Sequence, residues 1–161
     1  MQRNFPSGPR PKDVYFFATC LVDLFCPEAG MDAIQLLERE GITVHFPENQ
    51  TCCGQPAYTS GYADEARAVA KVQLDLFPEN WPVVVPSGSC GGMMVKHYPE
   101  LFEPGTTDHA EALDLARRTH ELTSFLTRVM KVEKVEAQFP ARATYHDSCS
   151  GLRELGVRNE P

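Results

Sequence analysis

Short apolar runs alternate along this chain with longer stretches whose apolar residues recur every three or four positions. Val14 to Ala18 is aromatic and β-branched on both faces, the pattern of a strand covered from both sides. Ile42 to Phe46 repeats that pattern and is halted by Pro47, and Pro82 to Val85 repeats it in purely apolar form. Arg142 to Tyr145 is the fourth predicted strand.

Between them lie helical patterns. Pro27 and Glu28 open one in which Met31, Ile34 and Leu37 share a face, with Gly41 as its stop. Thr59 or Ser60 is placed to cap a second, with Asp64 and Glu65 in its first turn and a stripe of Ala66, Val69, Ala70, Leu74 and Phe77. A third spans Met93 to Phe102 and breaks at Pro104-Gly105. Asp108 and Glu111 form a capping box for a long helix carrying Leu115, Leu122, Leu126 and Val129, and Gly151 to Val157 begins one more. Strands alternating with helices predict an α/β fold: a mainly parallel open sheet of about four strands, helices on both faces.

That fold gives the cysteines a meaning. Cys20 follows the first run, Cys52 and Cys53 the second, Cys90 the third and Cys149 the fourth. In a parallel sheet all strand C-termini share one edge, the edge at which open α/β folds bind ligands. Adjacent cysteines do not readily bond to each other, so Cys52 and Cys53 read as ligands or as partners for distant thiols. Cys20, Cys52, Cys53 and Cys90 supply four thiolates, enough for tetrahedral zinc or an iron–sulfur centre. The C-x-x-C knuckles of a zinc ribbon are missing. Gly54, Gly88, Gly91 and Gly92 are expected to let backbone amides approach the sulfurs. Cys26, near a helix start, is read as a structural thiol.

Composition narrows the rest. A chain of 161 residues is long enough for one domain with a real core. Its net charge of −7 and the lack of a Lys/Arg cluster argue against nucleic acid as a partner. No apolar run reaches the ~18–20 residues of a membrane span. Met1 to Lys12, rich in proline, lacks the apolar core of a secretory signal, which points to the cytoplasm, where thiols stay reduced. His97, His109 and His120 are expected to be solvated, and His45 to face a polar neighbour. His146 beside Asp147 stands at the expected functional edge. Gly88-Ser89-Cys90-Gly91-Gly92 after an apolar strand also has the form of a nucleophile elbow, so a cysteine hydrolase with Cys90 as nucleophile and His146-Asp147 as base and orienter is one alternative. A zinc-thiolate interaction module without catalysis is another.

The wording of these motifs adds a resemblance. Gln50-Thr51-Cys52-Cys53-Gly54-Gln55-Pro56-Ala57, Pro86 to Gly92, Tyr145 to Cys149 and Arg153 to Val157 are similar to the cysteine-rich CCG family. That family includes iron–sulfur subunits of heterodisulfide reductase, glycolate oxidase and anaerobic glycerol-3-phosphate dehydrogenase, and the likeness is greatest to its lactate-utilisation branch. The resemblance implies an iron–sulfur electron-transfer subunit that works with two other lactate-utilisation subunits to oxidise L-lactate to pyruvate and is inactive alone. It implies a cluster, 4Fe–4S or non-cubane, held by Cys20, Cys52, Cys53 and Cys90. Cys149 matches the leading cysteine of a second module. The expected layout is a lead over 1–13, a first CCG module over 14–139 and the start of a second, truncated module over 140–161. Met93 stands where the general module has its last thiol.

Overall fold

The computed structural model describes residues 8–161, so the expected lead lies, up to residue 7, outside the described residues. Four strands form one all-parallel sheet: β1 (Asp13–Phe16), β2 (Thr43–His45), β3 (Val83–Val85) and β4 (Thr119–Glu121), in the order β2-β1-β3-β4. Val14 pairs with Val44, Tyr15 with both His45 and Val83, and Val83 with Thr119. The expected α/β architecture is the one observed.

Alternation along the strands divides the core in two. Tyr15, Phe17, Val83 and Val85 point to one face, where they meet helix α4 (Ala63–Leu74) through Ala66, Ala70 and Leu74. The same face receives a continuous helical stretch made of α5 (Gly88–Gly92), a π-helical turn (Met93–His97) and α6 (Tyr98–Leu101), and then α7 (Thr107–Arg118). Val14, Phe16, Ala18 and Val84 point to the other face. There they pack on α2 (Pro27–Arg39) through Ala33 and Leu37, and on Phe125, Leu126 and Met130 beyond α8 (Leu122–Ser124). This is the two-sided cover that a parallel sheet requires.

Several expectations change. The fourth strand is Thr119–Glu121, not 142–145, which runs outside the sheet without regular structure. The stripe of Leu115, Leu122, Leu126 and Val129 is real but is not one helix face. Leu115 packs on one side of the sheet, Leu122 and Leu126 on the other, and β4 passes between them. Arg118 ends α7 by donating to the carbonyls of Phe77 (2.6 Å), Glu79 (2.9 Å) and Trp81 (3.0 Å), which brings the chain alongside β3.

Caps move as well. Thr106, not Asp108, caps α7 by accepting from the His109 amide, and Tyr62 stands at the start of α4 while Thr59 closes α3 (Gln55–Thr59). On α2, Gly30, Ala33 and Leu37 are inside and Met31 is exposed. Gly41 does end that helix, with a φ of 81°. His120 is buried in β4 rather than solvated, and His97 is half-buried between two carboxylates. His45 meets Asp13 at 2.9 Å, the polar neighbour expected of it.

Candidate metal centre

The strand order places a switch point between β1 and β3, because the chain winds outward from β1 to β2 and then from β3 to β4. At such a point the loops leaving neighbouring strands diverge and open a crevice. Cys20 is the first residue of α1 (Cys20–Phe25), just past β1, and Cys90 lies in α5, just past β3. Cys52 and Cys53 come from the loop between β2 and α3. The four thiols expected to converge are therefore carried by the edge that flanks the crevice.

Gln50 fixes the first meeting. Its side chain behaves like a strand neighbour of β1, accepting from the Ala18 amide at 3.0 Å and donating to the Phe16 carbonyl at 2.8 Å. This ties the β2 loop to the end of β1 and leaves Cys20 Sγ 3.7 Å from Cys52 Sγ. Thr19, just before Cys20, has a φ of 72°, a conformation that a β-branched residue rarely adopts. Its side chain caps α1 by accepting from the Val22 amide at 3.3 Å. Thr51 is anchored from below, where the buried Gln73 donates to its hydroxyl at 2.5 Å.

The second pair is inside the core. Cys53 and Cys90 are 1% and 7% exposed and pack with Phe17, Met93, Met94 and Tyr98. The Tyr98 hydroxyl, itself buried, donates to the Cys53 carbonyl at 3.0 Å. Gly54 then turns the chain with a φ of 82°, and a Cβ there would lie 3.3 Å from Val69 Cγ1, so the third residue of the motif has both a conformational and a steric reason to be glycine. The turn aims the Gln55 amide of α3 at the Cys53 sulfur.

Electrostatics distinguish the thiols. Cys90 is lowered to about 7, because Cys53 donates to its sulfur, against the opposing effect of burial and with help from Ser87 and Ser89. Cys53 is pushed well up by that same hydrogen bond, then by burial and the charge on Cys90. Of the buried pair, Cys90 is therefore the readier to ionise and Cys53 the readier to keep its proton. Cys20 is raised by burial first and then by Cys52 and Cys90. Clustered thiolates repel one another, and a bound cation is what would allow all four to deprotonate together.

The donor set fits a thiophilic metal group. Two thiolates on one tetrahedral metal with bonds of about 2.3 Å lie about 3.8 Å apart, close to the 3.7 Å between Cys20 and Cys52. The sulfurs form two pairs rather than a closed ring, and among the described residues no three His, Cys, Asp or Glu side chains already surround one ion position. Met93 is fully buried core.

The other candidates lie differently. Gly88, Gly91 and Gly92, expected to face the sulfurs, form the landing surface for the C-terminal segment. A Cβ on Gly88 would fall 2.8 Å from Gly151 Cα, and one on Gly91 3.0 Å from Leu155. That segment carries a π-helical turn (Gly151–Leu155) packed on α5. Cys149 enters this turn exposed, carried there by no strand end. Cys26 is exposed where α1 meets α2. His146 is exposed in the irregular stretch before Cys149, while the hydrogen-bond partners of the Cys90 thiol are Cys53, Ser87 and Ser89.

An open parallel sheet with cysteines gathered at its switch point defines a cysteine-rich α/β module whose thiols fit a metal group. The CCG cysteine-rich domain family matches residues 14–95, and the chain belongs to that family. Among curated proteins it is 51% identical over 148 residues to lactate utilization protein A of Geobacillus kaustophilus (strain HTA426), covering 92% of this chain and 62% of that protein. It is 48% identical to the protein of that name from Anoxybacillus flavithermus (strain DSM 21510 / WK1), again over 92% of this chain and 62% of the relative. Lactate utilization protein A 2 of Bacillus cereus (strain Q1) is 40% identical, with 92% and 61% covered. The chain thus spans about 62% of the length of these relatives. No solved structure matches.

Proposed function

We propose that this chain is the cluster-holding part of an iron–sulfur electron-transfer subunit in a system that oxidises L-lactate to pyruvate together with two partner subunits. The observation that supports this most is the 3.7 Å meeting of Cys20 with Cys52 at the crevice, with Cys53, the chain neighbour of Cys52, hydrogen-bonded to Cys90 in the core behind it. The relatives named for lactate utilization supply the process. An iron–sulfur cluster bound here would supply reversible one-electron chemistry.

The chain's own residues divide the work of holding it. Cys90, the more acidic of the buried pair, would most readily offer a thiolate to a bound cluster, and Cys53, held protonated by its hydrogen bond and burial, would ionise only with positive charge beside it. The Gln55 amide, donating to the Cys53 sulfur, would withdraw electron density from a cluster held there and so favour its reduced state. Phe17, Met94 and Tyr98 keep water from the core side.

Anaerobic reconstitution with iron and sulfide, read by metal and acid-labile sulfide analysis and by paramagnetic resonance, tests the reading. The wild-type chain should turn brown and retain both elements, and Cys52→Ser should lose most of them. A colourless protein retaining about one zinc per chain would favour the zinc module instead. The hydrolase alternative draws on the strand-to-helix placement of Cys90 and its lowered pKa. It would prevail if alkylating Cys90 alone abolished an esterase activity of the metal-free chain.

A further inference from the structure

Helix α1 is unusual for an element next to a buried site: none of its six residues is buried. Leu21, Leu24 and Phe25 are 64%, 71% and 74% exposed. An exposed apolar cluster of this kind marks a contact surface more often than chance. Its position is what gives it meaning. Leu24 and Phe46 line a cleft of about 160 Å³ whose wall also holds Cys20 and Cys52, so the apolar surface leads directly to the half-buried thiol pair.

Among the described residues the charge at this mouth has one sign. Asp23 and Glu48 line the cleft, Glu28 is exposed at the start of α2, and none of the described residues of the cleft wall is basic. Lys and Arg are missing from Thr19 through Glu38 and again from Phe46 through Ala66. An apolar centre ringed by carboxylates is complementary to an apolar centre ringed by lysine or arginine. Its small extent suits a brief encounter rather than a permanent assembly, as is usual for electron-transfer pairs.

We propose that α1 and the mouth of the Cys20–Cys52 cleft are the docking surface for a redox partner protein with an apolar contact face rimmed by basic side chains. The inference rests on the electron-transfer reading above, since it takes the thiol site as the place to be reached. Docking there brings a partner to the cleft that Cys20 and Cys52 line.

The test uses the isotope-labelled chain, metal-free, titrated with a basic c-type cytochrome and, separately, with the same cytochrome after lysine acetylation. Amide shifts should concentrate at Leu21 to Glu28 and Phe46 to Glu48, weaken with salt and vanish with the acetylated form. Leu24→Ser with Phe25→Ser should weaken binding about tenfold. Asp23→Asn with Glu48→Gln should flatten the salt dependence, while Glu103→Gln with Glu111→Gln on the far acidic surface should leave binding within about twofold. Shifts spread over all acidic surfaces, or no effect of the α1 pair, would overturn the proposal. So would a concentration-dependent dimer in ultracentrifugation that Leu24→Ser dissolves, since α1 would then be a face between copies. Iron content after reconstitution separates the two readings: docking without iron incorporation overturns only the cluster, and iron incorporation without docking overturns only the surface.

Discussion

The two thiol pairs differ in everything but their chemistry. Cys20 and Cys52 sit half-exposed at a cleft, on a helix with no buried residue and a loop tied down by Gln50 and Gln73. Cys53 and Cys90 are part of the hydrophobic core, wedged among Phe17, Met94 and Tyr98. A single peptide bond separates Cys52 from Cys53, so the doubled cysteine straddles the boundary between surface and core. This gives adjacent cysteines a use: Cys53 anchors the motif in the hydrophobic core, and Cys52 faces outward to the cleft. The strained Thr19 before Cys20 belongs to the outward half, where a locally costly conformation is tolerated because Gln50 and the α1 cap determine it.

The largest effects separate the pairs by stability and join them by function. Cys52→Ser and Cys90→Ser should each abolish most iron incorporation. In the metal-free chain, however, Cys90→Ser should cost about 2 kcal/mol, because a hydroxyl replaces a thiol in apolar surroundings. Cys52→Ser should stay within about 0.5 kcal/mol, as a substitution outside the core. Chemical denaturation measures both. Equal losses for the two variants would remove the distinction between rim and core.

Two uncharged residues sharpen the comparison further. Gln50→Ala leaves the Ala18 amide and the Phe16 carbonyl without their side-chain partner, and should cost about 2 kcal/mol. Its effect on iron retention should exceed its effect on alkylation of Cys53, since it frees only the rim. Tyr98→Phe strips the Cys53 carbonyl of its donor and should cost about 1.5 kcal/mol. Its signature is faster alkylation of Cys53 and Cys90, with Cys52 unchanged. A reversed pattern of thiol protection in either variant would sink the assignment of Gln50 to the rim and Tyr98 to the core.

The strand-end placement of the thiols was readable because β1 and β3 are apolar on both faces and each run stops just before its cysteine or serine-glycine turn. The fourth strand was not readable. Leu115, Leu122 and Val129 are spaced by seven, a spacing that fits one helix as well as it fits two helices on opposite faces of a sheet, and Thr119-His120-Glu121 carries no apolar run of its own. Only Arg118, reaching three carbonyls before β3, reveals the crossing. Gln50 stood in the motif wording, but its structural role, like that of Tyr98, was not legible, since each acts on backbone more than thirty residues away. The glycines of α5 carried a true signal of close approach, but sequence could not say whether a sulfur or another helix would approach, and it is the Gly151–Leu155 turn that does.

The smallest predicted effect concerns how the core pair's helix is backed. His97 Nδ1 meets Glu100 at 2.9 Å and Nε2 meets Glu154 at 3.2 Å, so one imidazole ties α6 to the C-terminal turn that covers α5. The Tyr58 ring lies against His97 and its hydroxyl donates to Glu100, while Lys96 adds positive charge nearby. Burial pulls the His97 pKa down, but the hydrogen bonds to Glu100 and Glu154 outweigh it and leave it raised. The hydrogen bond from His97 holds Glu100 below its ordinary value, against burial. A raised histidine contributes stability that is complete below its unfolded pKa of about 6.5 and is lost as pH rises through the folded value. A depressed glutamate contributes above about 4.3 and loses its contribution as pH falls through its own folded value. The latch is therefore strongest between roughly pH 4.5 and 6.5. His97→Gln should cost under about 1 kcal/mol there, limited by the exposure of Glu100, and progressively less toward pH 9. Denaturation of both chains across that range measures the difference, and hydrogen exchange at Gly151 to Leu155 should rise in the variant while exchange in α1 stays constant. A stability difference that grows with pH would reverse the sign and show that His97 acts as a neutral spacer, with no part in holding the cover over the Cys90 helix.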